Sequence, residues 1–278
     1  MDDWFIGGEG VTGATNVVFM WQGDNTPWTA LHEPLRNGSP TMTISDPSKD
    51  APLYVIGDIH GRLDLLDPLI AAIARDAGDR GASSLTVTVG DMVDRGPDSC
   101  GVIRRLMGNP FPGRYVALKG NHEALMQDFL AGPQAGALWW ANGALETLRS
   151  FGVTTSPDEE NFARVAEAFH AALSPDEARF LNALRLSYSV GRYFICHAGV
   201  RPGVPLDRQS ERDLLWIRRD FLDSDADFGK IVVHGHTPVV EPDVKPNRIN
   251  VDTGAIVRSR LTCVVLEGGE PRFLTVAS

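Results

Sequence analysis

Three times in close succession the chain runs through a short apolar stretch and stops on a glycine followed by polar residues: "LYVIGDIHG" at 53–61, "LTVTVGDMVDRG" at 85–96 and "YVALKGNHE" at 115–123. Between these stretches lie "LDLLDPLIAAIARDA" and "DSCGVIRRLM", both with the apolar spacing of helices. A β–α–β–α–β run of this kind implies a mainly parallel sheet with right-handed crossovers. It also places the polar stops at the strand ends, the edge of an open α/β sheet that binds ligands.

The rest of the chain extends the pattern. A helical insert is expected from about Glu123 to Leu186. Within it Ser174, Pro175 and Glu177 form a capping box with proline in the first helical turn. "RYFICHAG", "KIVVHGHTPV", "RINVDTG" and "LTCVVLE" then read as further strands. Residues 1–50 differ: they are rich in Gly, Thr, Asn and Pro, carry isolated tryptophans and show little periodicity. The expected division is a poorly structured extension or linker at 1–50, with Met42 an alternative start, and one catalytic domain at 51–278.

Each strand end carries donors. Asp58 and His60 follow the first strand; on an extended segment, side chains two apart point the same way. Asp91, Asp94 and Arg95 follow the second, and Asn121 and His122 the third. His197 and the pair His234 and His236 close two later strands, so five of the seven histidines sit at such junctions. Carboxylate, amide and imidazole donors without thiolates suit divalent ions of intermediate hardness, manganese, iron or zinc. His122 directly follows Asn121 and on extended chain would point to the opposite side. His234 shares the face of His236 and reads equally as a supporting or a structural histidine. Trp139 and Trp140 read as core of the insert.

The balance of charge narrows the partners. Net charge is −10 with no run of cations, which argues against a nucleic-acid binder but leaves room for a small phosphorylated ligand held by a metal or an arginine. Three scattered cysteines without a CxxC pair point to a reducing compartment. The acidic start "MDDWFIGGEG" has no signal-peptide pattern, and no apolar run approaches membrane-spanning length. A soluble cytoplasmic protein is expected, with no membrane partner; its oligomeric state is not legible.

Gly57-Asp58-Ile59-His60-Gly61, Gly90-Asp91-Met92-Val93-Asp94-Arg95-Gly96 and Gly120-Asn121-His122-Glu123 resemble the three signature motifs of the phosphoprotein phosphatase branch of calcineurin-like metallophosphoesterases. His197 and Gly235-His236-Thr237-Pro238 are similar to its two later histidine motifs in their bacterial and phage form. The resemblance runs from about Leu53 to Leu266. It implies a four-layer αββα sandwich with a helical insert and two divalent metal ions, manganese foremost with iron or zinc as alternatives. Asp58, His60 and Asp91 would hold one ion; Asp91, Asn121, His197 and His236 the other, with attack by a hydroxide held between them. His122 would protonate the leaving oxygen, oriented by Asp94. Arg95 and a second arginine, Arg218 in preference to Arg219, would hold the phosphate.

The implied activity is hydrolysis of phosphoserine and phosphothreonine in proteins, with phosphotyrosine as a further class. A dinucleotide reading stands beside it, symmetrical hydrolysis of diadenosine tetraphosphate; a catalytically silent binding module of the same fold is the third. Pro238 replaces the second histidine of the Gly-His-x-His found in many diesterases, which favours the phosphatase branch. Lys119 and Ala198 depart from the eukaryotic protein-phosphatase pattern, which has arginine and glycine at those places.

Overall fold

The computed structural model describes residues 51–156 and 161–278. The extension expected at 1–50 lies outside the described residues. In chain order the elements are β1 (Leu53–Ile56), α1 (Leu63–Ala77), β2 (Leu85–Thr88), α2 (Ser99–Met107), β3 (Arg114–Ala117) and α3 (Asn121–Ala131). The insert continues with α4 (Gly136–Trp140), α5 (Ala144–Ser150), α6 (Phe162–Ala172) and α7 (Pro175–Asn182). Then come β4 (Ser187–Val190), β5 (Tyr193–Cys196), α8 (Glu211–Trp216), α9 (Arg219–Leu222) and β6 (Ile231–His234). The chain ends with β7 (Asp243–Lys245), β8 (Arg248–Asn250), β9 (Arg260–Leu266) and β10 (Arg272–Ala277).

The strands form two sheets, ordered β10-β9-β1-β2-β3 and β4-β5-β6-β8-β7. The three strands of the β–α–β–α–β run are parallel, as expected, and β5–β6–β8 are parallel in the second sheet; antiparallel strands complete both, so each sheet is mixed rather than mainly parallel. The period-2 alternation of each central strand explains why two sheets stack. Leu53 and Val55 of β1 join Val87, Ile195, Val233 and Ile249 in a core between the sheets. Tyr54 and Ile56 face the other way, onto Leu65, Leu66 and Leu69 of α1 and Val102 of α2. Phe194, Cys196 and Val232 on the outer face of the second sheet pack on Leu214 and Phe221. Both faces of each central strand are therefore covered, and the result is an αββα sandwich. Burying each such side chain stabilises by about 1.5–3 kcal/mol.

The insert forms its own core from Phe129, Trp139, Leu148, Val165 and Phe169, and docks on α2 through Ile103. Its capping box is present: Ser174 Oγ accepts the Glu177 N–H at 3.3 Å, and the Glu177 carboxylate accepts the Ser174 N–H at 2.7 Å. Glu177 also receives Arg104 Nε from α2 at 2.6 Å, tying insert to sandwich. Cys100, Cys196 and Cys263 are free and buried. Among the described residues no helix is long and apolar enough to cross a membrane.

Candidate metal centre

The loops after β1 and β2 are laced together by their backbones. Ile59 and His60 N–H both donate to the Asp91 carbonyl at 3.0 and 2.8 Å, and Gly61 N–H donates to Met92. Such closeness needs glycine. A Cβ at Gly96 would lie 1.9 Å from the His60 carbonyl oxygen; at Gly90, with φ of +107°, it would lie 2.3 Å from the Gly120 nitrogen. Glu123 then fixes the second loop. Its carboxylate accepts the N–H groups of Gly120, Asp91, Met92 and Val93 at 2.7–3.1 Å. Burial and the nearby Asp91 push its pKa up to about 7 against these donors.

The sequence-based reasons for two orientations need correction. Asp58 and His60 line one cavity, yet β1 ends at Ile56 and His60 takes φ of +48°, so a left-handed turn, rather than strand alternation, aims them. Asn121 and His122 open α3 instead of ending β3, so they are a helical step apart and both face the cavity.

Two overlapping clusters of ligand-type atoms share Asp91: His60, Asp91 and His122, and Asp91, His197 and His236. In the second, His197 Nε2 lies 2.8 Å from Asn121 Oδ1, 3.1 Å from His236 Nδ1 and 3.5 Å from Asp91 Oδ1. Backbone carbonyls fix the tautomers. His197 Nδ1 meets Val89 O at 3.1 Å and His60 Nδ1 meets Val93 O at 2.9 Å, so each Nδ1 carries the proton and each Nε2 presents a lone pair inward. The lone pairs of His60 Nε2 and His197 Nε2 thus face the Asp91 carboxylate, and that of His197 also faces the Asn121 amide oxygen, while His236 Nδ1 lies 2.9 Å from Asn121 Oδ1. Asp58 lines the same cavity outside both tight clusters, and its carboxylate accepts the His236 N–H at 3.0 Å.

Burial sorts the titrating groups. It lowers the pKa of His60 to about 4 and of His236 to about 2, and lowers that of His197, keeping these rings neutral. Burial, Asp252 and Asp91 together raise Asp58 well above the usual carboxylate range. Burial pulls the Asp91 pKa up, but it is depressed overall by the histidines around it, of which His122 is the one whose own pKa is raised. His122 differs from the other three rings. Burial pulls its pKa down, but Asp91 and the contact with Asp94 raise it above the ordinary value. Three buried carboxylates (Asp58, Asp91, Asp252) and inward lone pairs from neutral rings make a donor set that suits divalent cations.

Residues 51–259 match the family model for calcineurin-like phosphoesterases. The chain belongs to the calcineurin-like phosphoesterases. It is 36% identical over 220 residues to serine/threonine-protein phosphatase 2 of Escherichia coli, covering 76% of this chain and 90% of that protein. It is 30% identical over 226 residues to the asymmetrical bis(5'-nucleosyl)-tetraphosphatase PrpE of Bacillus subtilis, covering 75% and 88%. A solved serine/threonine phosphatase from Saccharomyces cerevisiae shares the fold with a TM-score of 0.53 at 15% identity, covering 83% of this chain and 81% of that one.

Around the donor clusters the phosphoesterase places further groups. His122 Nδ1 lies 2.7 Å from Asp94 Oδ2. The Asp94 carboxylate also accepts Trp139 Nε1 at 2.9 Å and Thr147 Oγ1 at 2.7 Å, and burial raises its pKa despite these three donors. Trp139 therefore does more than pack: stacked on Phe169 in the insert core, it also holds Asp94. Arg95 Nη1 donates to His60 Nε2 at 3.2 Å. Arg218 lines the cavity and meets Thr237 Oγ1 at 3.3 Å, while Arg219 is not among the lining residues. His234 is buried against Phe221 with its pKa lowered by burial to about 3, a neutral structural ring. The cavity, about 140 Å³, also takes in Asn142, Trp216, Asp252 and the 254–257 loop. Sequence reasoning missed Asp252, although "INVDTG" repeats the strand-end pattern of an acid beside a glycine. It also missed the clasp of Glu123 and the contributions of Trp139 and Thr147.

Proposed function

We propose that this phosphoesterase is a phosphomonoesterase acting on phosphoserine and phosphothreonine in proteins, with phosphotyrosine as a further class, in the cytoplasm. Asp58, His60 and Asp91 would hold one divalent ion and Asp91, Asn121, His197 and His236 a second, manganese foremost with iron or zinc as alternatives for a donor set of carboxylate, amide and imidazole without thiolate. A bound pair of divalent ions supplies Lewis acidity and a nucleophile at neutral pH. Arg95 and Arg218 bind the phosphate oxygens with planar forks of donors. His122 gives a proton from Nε2 to the leaving oxygen, and Asp94, held by Trp139 and Thr147, fixes the ring with its proton on Nδ1.

The observation that carries this reading is the 2.7 Å contact of His122 with a carboxylate that, among the described residues, has no other cationic partner and is itself clamped by two neutral donors. Such a pair serves an ester with a poor leaving group. His122→Asn is expected to lower kcat on a phosphoserine peptide by about 10²–10⁴-fold. The loss should be much smaller on 4-nitrophenyl phosphate, whose leaving group needs little protonation. Metal content should stay constant, which matters because His122 also sits 3.9 Å from Asp91 Oδ2. Equal losses on both esters, or a lost ion, would overturn the assignment.

A second reading has a specific support: the similarity to asymmetrical bis(5'-nucleosyl)-tetraphosphatases at 30% identity. Symmetrical cleavage of diadenosine tetraphosphate belongs with it. Parallel assays with a phosphopeptide and the dinucleotide, with the nucleotide products identified, separate the two activities and the two cleavage patterns.

A further inference from the structure

Among the described residues six large hydrophobic side chains are exposed, and two of them, Trp216 at 40% and Val257 at 70%, line the cavity of the metal centre. Neither is there for want of packing nearby. Trp216 ends α8 directly after Leu214 and Leu215 and before Ile217, all buried, so the helix is anchored while the indole is left out. Its ring stands edge-on to His236 with centroids 6.3 Å apart, beside the donor cluster. Val257 sits on a loop that is held at both ends: Arg62 Nη1 donates to Ala255 O at 2.6 Å and to Ser259 Oγ at 3.2 Å, and Arg258 N–H to Gly254 O at 2.8 Å. Ile256, also lining the cavity, continues the apolar surface.

We propose that Trp216 and Val257 form an apolar rim that, among the phosphate esters the site accepts, gives tighter binding to those with an aromatic leaving group, the phosphotyrosine class. The proposal rests on the reading of the cavity as a phosphomonoesterase site and names the substrate class within it. The polar floor, with Arg95, Arg218 and His122, suits the phosphate; the rim meets whatever is bonded to the ester oxygen. In an aryl phosphate that is a flat apolar ring, which an exposed indole can stack against or meet edge-on. In a phosphoserine residue one methylene separates the oxygen from polar backbone, which gains nothing from the rim. Trp216 is thus a specificity-determining residue, distinct in role from Arg218 two positions on.

Two non-hydrolysable inhibitors, phenylphosphonate and methylphosphonate, test this on the full chain loaded with manganese. The wild type is expected to bind phenylphosphonate about tenfold more tightly than methylphosphonate, the scale of an aromatic contact together with the area it buries. Trp216→Ala should reduce that ratio to near unity, and Trp216→Phe should restore most of it. On matched phosphotyrosine and phosphoserine peptides the ratio of kcat/KM should fall in parallel, chiefly through KM. Absence of the preference in the wild type, or its persistence in Trp216→Ala, overturns the proposal. Should Trp216→Ala fail to fold, Val257→Ser, a change at the surface, must still lower the ratio; an unchanged ratio overturns it equally. A wild type that shows the preference but hydrolyses neither peptide would remove the phosphomonoesterase reading and leave the rim; turnover without the preference would do the reverse.

Discussion

Five of the seven non-glycine residues with positive φ among the described residues are His60, Asp91, Asp94, Arg95 and His236, and every one of them lines the cavity or touches a residue that does. Left-handed backbone costs such residues on the order of 1–3 kcal/mol each, and it persists only where surroundings impose it. Around Asp91 the constraint is Glu123, whose one carboxylate gathers three N–H groups of the Asp91 loop and that of Gly120. Glu123→Gln would keep the shape but turn an amide NH₂ toward those donors. It is expected to lower stability by about 1–3 kcal/mol, the cost of a buried donor left unpaired. Manganese affinity should fall by about 10–100-fold, as for other groups that orient ligands from behind. Denaturant unfolding and metal titration check the two effects; retained affinity would show that the loop holds its shape without the clasp. The carboxylate, amide and imidazole groups that meet in the cavity were legible as Asp, Asn and His beside glycine. Glu123, Trp139 and Thr147 were not, because their partners are backbone groups or a carboxylate brought near only when the insert folds.

Most of the legible strands were so because both their faces are buried. β1, β2, β5, β6 and β9 announce themselves as runs rich in apolar residues because helices cover one side of each sheet and the opposite sheet covers the other. β3, a partly exposed edge strand, and β8, Arg248-Ile249-Asn250, were legible instead from the glycine-bounded polar stops that follow them. β4, β7 and β10 went unread. All three are edge strands, with burial that is alternating or slight, so their sequences ("SYSV", "DVK", "RFLTVA") carry little apolar signal. α7 was legible for a different reason, its capping box. There the Glu177 carboxyl is held below its ordinary value: burial raises it, but the Ser174 N–H and the Arg104 guanidinium outweigh burial. A depressed folded pKa contributes stability that is present above the unfolded value of about 4.3 and lost as pH falls through the folded value. Glu177→Ala is therefore expected to cost about 1 kcal/mol at pH 7, with the difference from wild type narrowing by pH 3. Urea midpoints at the two pH values measure this; a gap that is constant with pH would mean that packing, rather than charge, accounts for it.

At the scale of the whole molecule, the donor set straddles the sandwich. Asp58, His60, Asp91 and Asn121 follow β1, β2 and β3 of the first sheet, whereas His197 and His236 follow β5 and β6 of the second. Each sheet alone presents an incomplete site, and the carboxylates and inward lone pairs meet only when the two are stacked. Cations bound there favour the stacked state over the unfolded chain, so binding free energy becomes folding free energy. Manganese at 100 times its dissociation constant should stabilise by about 2.7 kcal/mol for each site filled. For a domain of this size each kcal/mol raises Tm by about 2–4 °C, so a shift of roughly 5–11 °C is expected for each ion bound. Chelation should reverse the shift and abolish hydrolysis together, with manganese restoring both. Asp91→Asn tests whether one carboxylate serves both clusters. The amide oxygen can still accept the His122 N–H that Asp91 Oδ1 takes at 3.1 Å, so the fold of the metal-free chain should be little changed. Loss of its charge should nonetheless remove most of the manganese-dependent shift, because both clusters lose the ligand they share. Calorimetry of wild type and variant, with and without manganese, gives the four temperatures needed. A variant that matches the wild-type shift would show that Asp91 does not join the two ions, and a wild type whose Tm ignores manganese would sink the coupling of the sheets through the site.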